Sequence, residues 1–201
     1  MNDDGTDDGP GAVDAPIVPR VDPGPPGRPV SAVDPLAAGR SRARPRWLLF
    51  LGLAVGVLVV DQAVKAWIVA GFAVGSPVDI VGDYLRIAIV HNTGALFGMF
   101  RDQAPLFAAF SVAVIGIIVW YQALVGSNPL LAVALGLLLG GAVGNFVDRI
   151  RLGYVVDFVD MGIGGWRFYT YNVADSAITV AILLLLLVAL VPGLAARFAD
   201  A

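Results

Sequence analysis

The chain has 201 residues, 58% of them hydrophobic and 14% charged, and a mean hydropathy of +0.79. A soluble domain of this size carries roughly a quarter of its residues as charges, so an ordinary water-soluble domain is excluded and an integral membrane protein is indicated. The formal net charge of -3 says nothing about nucleic acid, because seven of the sixteen acids, all aspartates, precede Ala37. No basic stripe with interleaved aromatics suggests a nucleic-acid partner either. Cysteine is absent, which rules out disulfides, thiolate nucleophiles and Cys-based metal sites.

Residues 1–46 hold nine of the thirteen prolines and almost no series of large apolar side chains. Such a segment cannot bury enough surface to offset its ordering entropy, and it is predicted to be a disordered tail. It lacks the basic start and apolar core of a secretory signal. Arg40, Arg42, Arg44 and Arg46 close it immediately before Trp47. Four apolar segments follow, at Trp47 to about Ala70, about Pro105–Val125, about Pro129–Val147 and about Val173–Val191. Each is near the ~20 residues that cross ~30 Å of hydrocarbon. Gly126-Ser127-Asn128-Pro129 reads as a tight turn between the second and third. Val78-Asp79-Ile80-Val81 and Leu85-Arg86-Ile87-Ala88-Ile89-Val90 are β-branched runs bounded by turn residues, which predicts a small sheet within about residues 71–104. Residues 192–201 read as a C-terminal tail.

The arginine cluster before the first helix predicts a cytoplasmic N-terminus, and four crossings return the C-terminus to the same side. Arg86, Arg101, Arg149, Arg151 and Arg167 then fall on the outer side, against the rule. The dense cluster next to the first helix carries more weight. Asp61, Lys65, residues 71–104, Asn145–Arg151, Asp157 and Asp175 accordingly gather at the outer surface.

No Asp, Glu, Lys or Arg occurs between Gln103 and Val147, and none between Asp175 and Arg197. Ionisable groups near a bilayer are costly, so those that remain are read as functional. Asp61 and Lys65 share a helix face four residues apart and can pair, the ordinary reading being an ion pair at a helix end. His91-Asn92-Thr93-Gly94-Ala95-Leu96-Phe97-Gly98 combines polar donors with glycines where a backbone can approach a ligand. Asn92 can hold a substrate main chain through its amide, although an ordinary turn has the same pattern. The lone histidine has no second histidine with which to build a metal site. Gly140-Gly141-Ala142-Val143-Gly144 supplies small residues for close helix packing. Asn145 and Arg149 lie one turn apart on one face beyond it. Arg149 either grips a carbonyl or carboxylate by paired hydrogen bonds or snorkels at a helix end.

Asp157 sits in the apolar frame Gly153-Tyr154-Val155-Val156-Asp157-Phe158. Asp175 lies three residues after Asn172, a candidate N-cap. Taken singly, Asp157 reads as a loop acid, as Asp160 does, and Asp175 as a capping carboxylate favoured by the helix dipole. Taken together they read as an acid–base pair: two carboxylates in a partly dry site do not both ionise, so one keeps its proton while the other is a base. The apolar frame favours protonated Asp157 and the helix start favours ionised Asp175. Such a pair activates water and polarises a peptide carbonyl, as in aspartic proteases. Asp148 is a rival partner, with Arg149 beside it as an ordinary mate.

Five motifs in order over residues 47–191 resemble the lipoprotein signal peptidase (signal peptidase II) family of intramembrane aspartic peptidases. They are Asp61-Gln62-x-x-Lys65, Asn92-Thr93-Gly94-Ala95-x-Phe97, Gly140-Gly141-Ala142-x-Gly144-Asn145-x-x-Asp148-Arg149, Gly153-x-Val155-Val156-Asp157-Phe158 and Asn172-x-Ala174-Asp175. The resemblance implies a membrane all-α bundle of four transmembrane helices with a small outer β-cradle and a short outer helix over the site. It implies catalytic Asp157 and Asp175, with Asn92, Gly94, Asn145, Arg149 and Asn172 lining the site and Asp61, Lys65 and Asp148 supporting it. No metal or cofactor is implied. The implied substrates are lipid-modified prolipoproteins in the bacterial inner membrane, cut just before the modified cysteine, with membrane lipids as partners and the cyclic peptide globomycin as inhibitor. A transporter or proton relay also uses intramembrane aspartates, but it places them near the midplane. A purely structural assembly protein would need no pair of apolar-framed aspartates.

Overall fold

The computed structural model describes residues 45–94, 104–191 and 193–197. Apart from Pro45 and Arg46, the predicted tail lies outside the described residues. So do Ala95–Phe97 of the second motif and the whole stretch 95–103, which is what remains between the sheet and the second helix for the expected short outer helix.

Among the described residues, four helices are long and apolar enough to cross a membrane. They are α1 (Trp47–Gly71), α2 (Ala104–Val125), α3 (Pro129–Leu152) and α4 (Val173–Leu190). A four-residue helix, α5 (Leu194–Arg197), follows in what reads from sequence as a plain tail. The four spans appear where hydropathy puts them, except that α3 runs five residues beyond Val147 and carries Asp148, Arg149 and Arg151 on its last turn. Its ends are chemically marked. Asn128 caps the start by accepting from the Leu130 and Leu131 amides at 3.0 and 3.2 Å, with proline at the first position, where its missing N–H costs nothing. Gly153 ends it at φ 78, a left-handed conformation suited to glycine.

α3 is the centre of the bundle. Half of its spanning window is buried, against 11–17% for the other three, and it packs on α1, α2 and α4. The glycine stretch makes this possible. A Cβ on Gly140 would lie 2.7 Å from the Ala54 carbonyl of α1, and one on Gly141 would lie 2.5 Å from the Ala174 carbonyl of α4. Adjacent residues therefore admit two different backbones, the close approach that small residues allow in membranes. Phe50, Ala54, Ile118, Leu135 and Leu139 form the buried apolar cluster among α1, α2 and α3.

The predicted sheet is real but larger than the segment 71–104. Strands β1 (Val78–Val81) and β2 (Leu85–Asn92) match the two β-branched runs, and they are joined by β3 (Val155–Ile163) and β4 (Trp166–Arg167) in the order β1-β2-β3-β4, all antiparallel. Asp157 therefore stands on a strand buried on both faces, not in a loop. The run from Val155 to Val159 alternates little because neither face is open, which hides it from a period-two search. Ile89, Val156 and Phe158 pack with Ile68 and dock the sheet on the end of α1. The sheet also disposes of two arginines that contradict the orientation rule. Arg86 pairs with Asp83 and Asp79, and Arg167 with Asp83 and, at 2.8 Å, with Asp160. Asp160 is thus an ion-paired strand residue and not a solvated loop acid.

Candidate active site

The site forms where three elements end. The start of α4 is set by a reciprocal capping box. Asn172 Oδ1 accepts from the Asp175 amide at 3.0 Å, and the Asn172 amide donates to Asp175 Oδ2 at 3.2 Å. The predicted cap is therefore correct, with Asp175 at the third helical position. The cap occupies only one oxygen of Asp175. The other accepts from Asn145 Nδ2 on α3 at 2.7 Å.

Asp157 reaches the same place from β3. Asn92 lies opposite Val155 in the ladder, so Asn92 and Asp157 share a sheet face, and Asn92 Nδ2 donates to Asp157 Oδ2 at 3.0 Å. Asn172 Nδ2 donates to Asp157 Oδ1 at 2.6 Å and to Asn145 Oδ1 at 3.1 Å. One asparagine side chain thus touches both aspartates' surroundings: its amide nitrogen holds Asp157 while its oxygen holds the backbone of Asp175. Asp157 is 2% exposed. Burial, and then the negative charge of Asp175, push its carboxyl from 3.8 up to about 7, against the opposing hydrogen bonds from Asn92 and Asn172. This matches the expectation that the apolar frame favours the protonated form.

Asn92, Gly94, Asn145, Arg149, Asp157 and Asp175 all line one cavity of about 430 Å³. Arg149 Nη1 donates to the Asn145 carbonyl at 3.1 Å and Nη2 to the Gly94 carbonyl at 3.4 Å, and the guanidinium carbon lies 5.6 Å from the Phe107 ring centre. It is held over the cavity and does not snorkel away from it. Gly94 is buried, its amide donating to Asn92 Oδ1 at 3.1 Å. His91 lies outside this set, stacked on Tyr154 with ring centres 4.0 Å apart.

Behind the cavity lies a second group of charges. Lys65 Nζ is 2.8 Å from Asp61 Oδ2 and 2.8 Å from Asp148 Oδ2, and it donates to Asn145 Oδ1 at 3.2 Å. Asp148 is therefore matched with Lys65 on α1, four elements back in sequence, and not with the adjacent Arg149. Each remaining carboxylate oxygen is used: Asp61 Oδ1 takes the Ala174 amide at 2.9 Å, Asp148 Oδ2 also takes the Val156 amide at 3.2 Å, and Asp148 Oδ1 takes Gln62 Nε2 at 2.9 Å. Gln62 belongs to the first motif, yet its pattern assigns it no role; an amide in an otherwise apolar helix, beside Asp61, was the signal. Tyr169 is the other residue that sequence reasoning missed. It lines the cavity with both aspartates, and its phenol is raised by burial and then by the charges of Asp175 and Asp157. Nothing local in Phe168-Tyr169-Thr170-Tyr171 distinguishes it.

Residues 53–191 match the model of the family described as signal peptidase (SPase) II. The chain belongs to the signal peptidase II family. It is 42% identical over 141 residues to the lipoprotein signal peptidase of Symbiobacterium thermophilum, covering 70% of this chain and 93% of that one. It is 40% identical over 145 residues to that of Moorella thermoacetica, covering 72% and 94%. A solved bacterial membrane enzyme, determined by the in meso method at 2.3 Å resolution, superimposes with a TM-score of 0.69 at 30% identity over 75% of this chain and 92% of its own. A second, at 1.9 Å resolution, gives 0.67 at 30% identity over 75% and 97%. Signal peptidase II is an aspartic peptidase family, so this chain is a multi-pass membrane aspartic endopeptidase.

Proposed function

We propose that the enzyme removes the signal peptide from lipid-modified prolipoproteins by cutting just before the diacylglyceryl-cysteine, with Asp157 and Asp175 as the catalytic pair. The observation that carries this is the bridging of the two carboxylates by Asn172 at one cavity wall, where one of them is raised to about 7. Asp175 is the base that takes a proton from water, while protonated Asp157 donates to the scissile carbonyl oxygen. The water oxygen bonds to that carbon. The tetrahedral intermediate then breaks its C–N bond as Asp175 passes its proton to the leaving amine, and one hydroxyl of the intermediate returns its proton to Asp157 as the new carboxyl forms. Asn145 and Asn172 orient the pair, and Lys65, Asp61 and Asp148 hold Asn145. Asn92, Gly94 and Arg149 bind the substrate main chain.

In this reading both termini are cytoplasmic, the membrane is the bacterial inner membrane and the site opens at its outer face. The arginine cluster before α1 supports that orientation. In intact cells, a membrane-impermeant thiol reagent should label a cysteine placed at Gly82 and spare one placed in the N-terminal tail; the reverse pattern would turn the site to the cytosol. For the activity itself, the purified chain is incubated in bilayers with a synthetic prolipoprotein, lipidated or not. Because each buried CH₂ contributes about 0.8 kcal/mol, the lipidated form should be cut far faster, and globomycin should stop the cleavage. Equal rates for the two forms would refute the assignment of lipid-modified substrates.

A further inference from the structure

A second cavity adjoins the site. It encloses about 610 Å³ between the β3–β4 hairpin and the first turns of α4, within the size range of small-molecule sites. Tyr169, Asp175 and Thr179 line both cavities, so the two meet at one of the paired aspartates. Their walls differ in chemistry. The donors suited to a peptide backbone, Asn92, Asn145 and Arg149, all belong to the first. Met161, Ile163, Trp166, Phe168 and Tyr171 wall the second, and the Tyr171 hydroxyl is engaged by the Met161 sulfur at 2.9 Å.

The α4 side of this second cavity does not stop at its edge. Ser176, Val180, Leu183 and Leu187 recur every three or four residues and so form one stripe. Its apolar members are 47%, 60% and 47% exposed in turn. The stripe follows a membrane-spanning helix, so an apolar chain leaving the cavity along it passes into hydrocarbon without meeting water. At the other lip, Ile163 and Trp166 are 75% and 82% exposed, apolar surface that an apolar occupant would cover.

Resting on the peptidase reading above, we propose that this aromatic cavity is an acyl-chain subsite. One acyl chain of the lipid-modified cysteine seats between the β3–β4 hairpin and the α4 stripe, while the peptide lies in the first cavity on the other side of Tyr169. A polypeptide occupant fits less well, because the groups that would satisfy its backbone stand in the other cavity.

The test uses the full chain in bilayers and two synthetic prolipopeptides that differ only in long or short acyl chains on the cysteine. Val180→Trp fills the cavity from a lipid-facing position. It should raise KM for the long-chain substrate about tenfold, roughly the loss of two buried methylenes, with kcat retained and the short-chain KM nearly unchanged. Trp166→Ala, at a position too exposed to disturb the core, should move the long-chain KM in the same direction. Leu124→Trp, on the lipid face of α2 near the α2–α3 turn, should move neither. An equal change for both substrates, or no change at either cavity variant, overturns the subsite. A change that follows the residue after the cysteine, and not the acyl length, makes the occupant polypeptide and also overturns it. If the wild-type chain binds but cuts neither substrate, the peptidase reading itself falls, and the subsite with it.

Discussion

Asp61 and Asp148 on one side, and Asp157 and Asp175 on the other, are acids of the same kind drawn out of water at the same end of the bundle. Their surroundings differ. The first two share the ammonium of Lys65 at 2.8 Å each and have backbone amides and Gln62 on their other lone pairs. Among the described residues, the hydrogen bonds to the second two come from neutral donors, Asn92, Asn145, Asn172 and the backbone, and both face a cavity that Arg149 also lines. A cation stands between the first pair, so that pair holds α1, α3 and α4 together. Amides orient the second pair without neutralising it, so its protonation is left free to change. Asn145 joins the two groups, taking Lys65 on its oxygen and giving its nitrogen to Asp175.

The largest test of this contrast is substitution of the cavity pair. Asp157→Asn and Asp175→Asn should each lower turnover by on the order of a thousandfold or more, because an amide cannot cycle a proton. On the proposed mechanism the two act as a unit, so the double variant should lose little beyond either single one. Substrate binding, measured with lipidated peptide, should survive. Near-normal turnover in either variant would remove that residue from the mechanism.

Lys65→Met should do the opposite, harming the fold more than the chemistry. It leaves two buried carboxylates facing each other, and breaking a buried pair from one side costs about 3–5 kcal/mol. Unfolding in detergent should show that loss. Asp148→Asn should likewise reduce the amount of folded protein, with turnover per folded molecule largely kept. If Asp148→Asn folds normally but does not turn over, Asp148 becomes the rival catalytic partner.

A smaller effect concerns Asp157 and pH. A carboxyl raised from 3.8 to about 7 on folding lends stability that is fully present below pH 3.8 and is lost as pH rises through about 7. The thermal midpoint of the wild type should therefore fall relative to that of Asp157→Asn across this window. If Asp157 is the proposed proton donor, turnover should fall as pH rises beyond about 7, where its carboxyl loses that proton. A parallel pair of stability curves would show that Asp157 is not raised. The smallest effect is expected at Asp160, whose partner Arg167 lies at 2.8 Å near the surface. Asp160→Asn should cost under about 1 kcal/mol and leave turnover within about twofold. A larger loss of turnover would bring the hairpin into the chemistry.

Much of this protein is legible in its residues taken in order. Four spans follow from runs of apolar side chains, because a helix in hydrocarbon must satisfy its own backbone and needs a fixed length to cross. The Asn172 cap and the turn at Gly126-Ser127-Asn128-Pro129 follow from local rules, since their partners lie within a few residues. The two β-branched runs at Val78–Val81 and Leu85–Val90 announce strands for the same reason. What was not legible depended on partners distant in sequence. Strand β3 pairs with β2 in the sheet and is covered by the end of α1 and the start of α4, so it lacks the alternation that marks a half-exposed strand, and Asp157 reads as a loop acid. Asp148 chose Lys65, 83 positions away on another helix, over its neighbour Arg149. That choice arises because the glycines of α3 bring α1 within backbone contact, and adjacent residues on a helix do not face one another. Sequence alone therefore determined which acids stand in apolar surroundings, since that depends on near neighbours. Only the packing of α1, α3, α4 and the sheet decided which of those acids found a cation and which were left facing a cavity.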